Sequence, residues 1–279
     1  LLRPRYSFIA LALFFTGLIT LPVLNDPDLG WHLRNGQTIL QTHQLQTQDV
    51  YTIHINLSYI NYSWLQDVAL YQSFLILGTH GPSIYFILIS VITILIAFRK
   101  HHHPEAIVLL TLSLIAFIIR FNFMARTHII ILPLTLWLFN IFDLNSLNKP
   151  FPLTKLALQI NLLFIIWANT HGTFLLGLIL LIYLSVTHSL FIQYYRQFFF
   201  LNCLALLSTF INPYGFNLHL WIISLSTSPI VHQYNLDWAP LISLPDQLLT
   251  LTPILVLIFI ISLLTTITLK SLKTSFLIW

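Results

Sequence analysis

Charge is what this sequence has least of. Lys and Arg number 12 and Asp and Glu 8, together 7% of 279 residues, against roughly 25% in an ordinary soluble domain. A water-soluble globule is excluded. Cysteine is nearly absent: the single Cys203 rules out a disulfide framework or a cysteine metal cluster, and its apolar surroundings make it a small buried hydrophobe. Internal repeats and low-complexity tracts are missing as well. What is present in excess is apolar surface, with 57% hydrophobic residues including 22 Phe, 11 Tyr and 7 Trp, which excludes disorder. The remaining class is an all-α polytopic membrane protein. The net charge of +4 does not indicate a nucleic-acid partner, because the basic residues stand singly or in pairs between apolar runs, where they act as topology signals.

Crossing about 30 Å of hydrocarbon takes around 20 apolar residues, and the chain offers about eight such stretches, near 7–24, 82–98, 105–121, 127–142, 155–170, 172–192, 197–211 and 248–269. Arg3 and Arg5 precede the first, which lacks a small-x-small cleavage site and reads as an uncleaved anchor. Asn169-Thr170-His171-Gly172 is expected to form a tight hairpin between two spans, with Gly172 permitting the turn. With the N-terminus cytoplasmic, all of the 12 Lys and Arg except Arg34, Arg120 and Arg126 fall inside, and all of the 8 acids except Glu105 and Asp143 fall outside. The polar chemistry therefore gathers on the outer face, in loops 25–81 and 212–247 of a single transmembrane domain, 1–279. The chain begins at Leu1 and stops soon after its last apolar run, so a C-terminally incomplete chain is expected.

The first outer loop is expected to hold two interfacial helices. One opens at Asp26-Pro27-Asp28, with Leu29, Leu33, Gly36 and Leu40 on a face lying along the membrane interface and Trp31 as anchor. The other opens at Ser63, in a capping box with Gln66, and ends at Gly78. Between them Val50 to Tyr62 reads as extended chain. Asp26 and Asp28 form an Asp-x-Asp pair that either complements the helix dipole or supplies a general base or a ligand for a divalent cation. Arg120 and Arg126 run against the positive-inside trend; they either snorkel to headgroups or face a polar cavity and bind phosphate with a planar fork. His32, His128 and His171 are among eight outer-side histidines, none in the i, i+4 spacing of a helical zinc site. Asn212-Pro213-Tyr214-Gly215 is a turn by composition, Asp237 an outer acid or a turn residue, and Asn61-Tyr62-Ser63 a formal glycosylation sequon.

In order along the chain, "DPDLGWHLRNG" after the first span, "WANTHGTFLLG", "INPYG" and "DWAP" resemble a group of bacterial multi-pass proteins with glycosyltransferase-C-like architecture. The resemblance covers most of the chain. It implies a bundle of about eight transmembrane helices in the bacterial inner membrane, whose outer face moves a sugar from a polyprenyl-phosphate-linked donor to an acceptor. An acid of the first outer loop, Asp28 or Asp26, is implied as general base, a divalent cation on these aspartates as a possible cofactor, and Arg126, His128, His171, Asn169, His32, Asp237 and Asn212 as substrate and phosphate contacts. The sequence carries Gly30 where the group commonly has an aromatic, Thr127 for proline, Thr173 for glycine and Asp237 for glutamate. Two other classes fit the same polar residues: a transporter or flippase of a lipid-linked or small solute, and a non-catalytic membrane assembly subunit.

Overall fold

The structure is a computed structural model that describes residues 28–49, 58–98, 130–142, 152–188 and 191–234. All regular elements among the described residues are helical: α1 (Leu29–Thr42), α2 (Trp64–Leu77), a 3₁₀ turn (Gly78–His80), α3 (Gly81–Phe98), α4 (Ile131–Ile141), α5 (Leu153–Thr170), α6 (Phe174–Thr187), α7 (Phe191–Ser208), α8 (Phe216–Thr227) and α9 (Pro229–Tyr234). The expected extended segment contributes one isolated antiparallel bridge, Gln48 to Ser58; residues 50–57 lie outside the described residues. Helices α3 through α7 fall within or overlap the stretches expected as spans at 82–98, 127–142, 155–170, 172–192 and 197–211, while 7–24, 105–121 and 248–269 lie outside the described residues. The chain divides into two compact units, Leu1–His219 and Leu220–Trp279.

In the first unit helices pack in the series α1 on α2, α2 on α3, α3 on α4, α4 on α5, and α5 and α6 on α7. One core joins Leu70 of α2 with Phe86 and Ile89 of α3, covered by Leu33, Tyr85 and Ile130. A second is built on the fully buried Phe164 and Trp167 of α5, Phe174 and Leu181 of α6, and Phe198, Leu201 and Ala205 of α7. Polar pairs tie these apolar helices together, as expected where neighbouring surfaces are all hydrocarbon: Ser208 donates to Asn161 at 2.7 Å and Asn202 to Ser185 at 2.9 Å. Leu158, Leu176, Ile179, Phe199 and Leu207 remain exposed, an apolar outer surface of the kind that marks membrane or protein contact.

Among the described residues two helical runs are long and apolar enough to cross a membrane, Trp64–Ile89 and Leu153–Thr170. The first folds back on itself. Tyr85 hydroxyl donates to Gln66, and a Cβ on Gly81 would collide with the backbone of Ser73, so α2 and α3 form a tight hairpin through Gly78, whose φ of 58° suits only glycine without strain.

Three local expectations are corrected. Gly36, expected on the interface-facing side of α1, packs against α2 instead, because a Cβ there would strike the Asp67 carbonyl and only glycine lets the two backbones approach; Trp31 is exposed. The Ser63 and Gln66 capping box does not form: Ser63 makes no side-chain cap bond and turns its hydroxyl to its near neighbours Asn61 and Asp67, while Gln66 accepts from Tyr85 of α3. The turn after α5 is made by His171 in extended conformation (φ −161°, ψ 140°), and Gly172 has no positive φ.

Candidate functional site

The site is assembled around a short segment, Asn61 to Trp64, that enters α2. Asp67, one turn into that helix, is fully buried. A carboxylate without water requires several donors, and it has them: Asn61 Nδ2 reaches Oδ2 at 2.7 Å, His32 Nδ1 lies 2.7 Å from Oδ1, and Ser63 Oγ stands 3.3 Å from the same oxygen. Asn61 is oriented from both sides. Its Oδ1 accepts the Ser63 N–H at 3.1 Å, and its backbone N–H donates to the Tyr214 hydroxyl at 3.1 Å. The Asn61 sequon cannot carry a glycan in this fold, because its amide nitrogen is buried and bonded to Asp67.

The remaining residues of the segment reach the middle and late motifs. Trp64 Nε1 donates to Asn169 Oδ1 at 2.9 Å, and Asn169 Nδ2 donates in turn to the Ile165 carbonyl at 2.8 Å and the Ile211 carbonyl at 2.7 Å. Tyr62 meets the buried His171 ring edge-on, 6.1 Å between centroids. Thr173 ties the turn together: its hydroxyl accepts from Trp167 Nε1 at 3.1 Å and lies 3.0 Å from His171 Nδ1, which also accepts the Thr173 N–H at 3.2 Å. Asn212 closes its own turn, with Nδ2 on the Thr209 and Gly215 carbonyls and Oδ1 accepting the Tyr214 N–H at 2.8 Å, while Gly215 takes φ +53°. That places Tyr214 over Asn61. Burial pushes the Tyr214 phenol above its ordinary range; the Asn61 N–H works the other way and the Asp67 charge adds to the rise.

Among the expected site residues, the structure brings His32 to the Asp67 cluster and Asn169, His171 and Asn212 to the Trp64 side of the same segment. Asp28 stands at the N-cap of α1, exposed and without a side-chain cap bond, one turn before His32, whose N–H bonds the Asp28 carbonyl at 3.2 Å. Asp26, Arg126, His128 and Asp237 lie outside the described residues. Among the described residues no group of three or more His, Cys, Asp or Glu is placed to hold a metal ion. Sequence reasoning missed Asp67, Asn61, Ser63, Trp64 and Tyr214; the one signal for Asp67 was an acid within an apolar helix, four residues after Ser63.

Beside the segment runs an open, mainly apolar groove of about 470 Å³, lined by Trp64, Leu65, Ile165, Ile166, Asn169, Ile211, Asn212 and Pro213. Its polar end is the Asn169 and Asn212 pair, and its walls come from the ends of α2 and α5 and the turn before α8. Comparison of the chain with family models, curated proteins and solved structures finds no match.

Proposed function

We propose that the chain is a multi-pass membrane glycosyltransferase of the C type, with about eight spans, moving a sugar from a polyprenyl-phosphate carrier to an acceptor on the outer side of the bacterial inner membrane. The observation that carries the reading is convergence. The Asn169 and His171 motif and the Asn212 to Gly215 turn lie far apart in sequence, yet both meet the Asn61 to Trp64 segment, and Asn61 shares the Asp67 carboxylate with His32 of the first-loop helix. The apolar groove beside them offers room for an isoprenoid tail, and the exposed apolar flanks of α5 to α7 fit a lipid surround.

In this reading a carboxylate of the first outer loop, Asp28 or Asp26, takes the proton of the acceptor hydroxyl, with a divalent cation on the same pair as a possible aid. Arg126 and His128 hold the leaving phosphate by charge-assisted hydrogen bonds, Asp237 supplies a further outer acid, and Asn169, His171 and Asn212 hold the frame. The test is transfer of labelled sugar from a polyprenyl-phosphate donor in membranes carrying the Asp26→Asn, Asp28→Asn double variant. Loss of transfer by about 100-fold or more at unchanged expression is expected for removal of a general base; full transfer refutes the assignment.

A further inference from the structure

The cluster at the start of α2 contains more than a frame requires. Asp67 is wholly buried while the His32 side chain, on the partner helix, is 18% exposed, so the pair runs from the protein interior outward, with the imidazole as its outer end. An ionised carboxylate can only accept hydrogen bonds, and Asp67 Oδ2 is taken by Asn61, whose amide cannot rotate away without losing the Ser63 N–H. Against an ionised Asp67, His32 Nδ1 is the donor in the contact with Oδ1, and a second proton on the ring is then carried by Nε2. A carboxylate held against Nδ1 both orients the ring and supports positive charge on it, the logic of a triad aspartate.

We propose that Asp67 is a positioning residue and that His32, held by it, is the acid that protonates the leaving phosphate. The proposal rests on the transferase reading above. Asp28, the N-cap, and His32 are one turn apart at the N-terminal end of α1, a spacing that puts both on one side of the helix, so that one helix supplies the base and the acid in this proposal. The step balances as follows. The acceptor oxygen forms its bond to the anomeric carbon and gives its proton to the Asp28 carboxylate. The bond from that carbon to the phosphate oxygen breaks, its electron pair goes to the oxygen, and the oxygen takes the Nε2 proton of the His32 imidazolium. Exchange with water then returns the Asp28 proton to solvent and recharges His32.

The experiment uses the full chain in lipid nanodiscs with ¹⁵N-labelled histidine, the His32 signals being assigned by their absence in His32→Gln. The expected spectrum of neutral His32 has Nδ1 protonated and Nε2 bare, and Asp67→Asn abolishes that preference while the other histidine signals stay in place. A protonated Nε2 with a bare Nδ1, or an unchanged tautomer in Asp67→Asn, overturns the positioning role. Turnover is then read as release of polyprenyl phosphate from a radiolabelled polyprenyl-phosphate hexose. Asp67→Asn is expected to lower kcat by about 100-fold or more with KM little changed. Should Asp67→Asn fail to fold, His32→Gln, at a partly exposed ring, is expected to lose kcat in the same way; retention of kcat overturns the proposal. No turnover by the unmodified chain overturns the transferase reading and the phosphate as proton acceptor, while the tautomer result still decides whether Asp67 positions His32.

Discussion

A positive charge is poorly accommodated at His219. The ring stacks on Phe210 with 4.5 Å between centroids, lies 6.0 Å from Phe216 and meets Phe174 edge-on at 5.0 Å, and its Nε2 is 2.8 Å from Thr209 Oγ1. Burial holds its proton affinity below the ordinary histidine value, and the Gly215 carbonyl opposes this only in part. The folded chain therefore binds this proton less readily than the unfolded chain does. Above an ordinary histidine value of about 6.5 both states are neutral here and pH has no effect. As pH falls below it, the unfolded state takes up the proton first and stability drops. His219→Phe removes this contribution. The fall in thermal midpoint of the purified chain between pH 7.5 and 5.5 is expected to be smaller in His219→Phe than in the unmodified protein, and equal falls would show that His219 charges without penalty.

At the level of elements, the contact between α1 and α2 depends on one missing methyl group. A Cβ at Gly36 would meet the Asp67 carbonyl and Tyr71 Cβ, whereas nothing stands near a Cβ at Gly30 on the same helix. Backbone cannot move aside as a flexible side chain can, so Gly36→Ala forces the helices apart, at a cost of about 1–3 kcal/mol. Gly30→Ala is expected to stabilise by about 0.5–1 kcal/mol, because alanine loses less chain entropy in a helix. Thermal unfolding of the two variants in one detergent checks both signs, and a neutral Gly36→Ala would mean the backbones are not in contact. The same pair of helices shows how far the sequence could be read. Apolar length alone located α3 and α5 closely, since Leu153–Thr170 answers to the run at 155–170, and Asn212 to Gly215 was legible because turn chemistry is local. The fold-back of α2 on α3 was not legible, because it rests on Gln66 with Tyr85 and Gly81 against Ser73, contacts that no local pattern encodes. Asp67 was counted only as an outer-side acid for the same reason: its burial is a tertiary fact. At Ser63 one local pattern lost to another, since the capping bond gave way to hydrogen bonds with Asn61 and Asp67, two and four residues away.

For the whole molecule, the hairpin bears on how the chain threads the membrane. Helix α2 has 14 residues and rises about 21 Å, short of the roughly 30 Å of hydrocarbon. If it nevertheless crossed, α3 would have to cross back, and Arg99 and Lys100 would land outside with the acids of the first loop. Translocating that basic pair opposes the positive-inside bias. The proposed threading instead keeps Arg34, α2 and the turn at Thr79 outside and sends α3 inward to Arg99 and Lys100. Cys203 is the only cysteine, so a Cys203→Ser background permits single-cysteine mapping with a membrane-impermeant maleimide. Arg34→Cys and Thr79→Cys are expected to label in intact cells, and Lys100→Cys only after the membrane is opened. Labelling of Thr79→Cys from the cytoplasmic side alone would make α2 a crossing helix and move the Asp67 cluster into the bilayer. Labelling of all three positions from one side would remove α3 from the crossing helices and overturn this threading of the first outer loop.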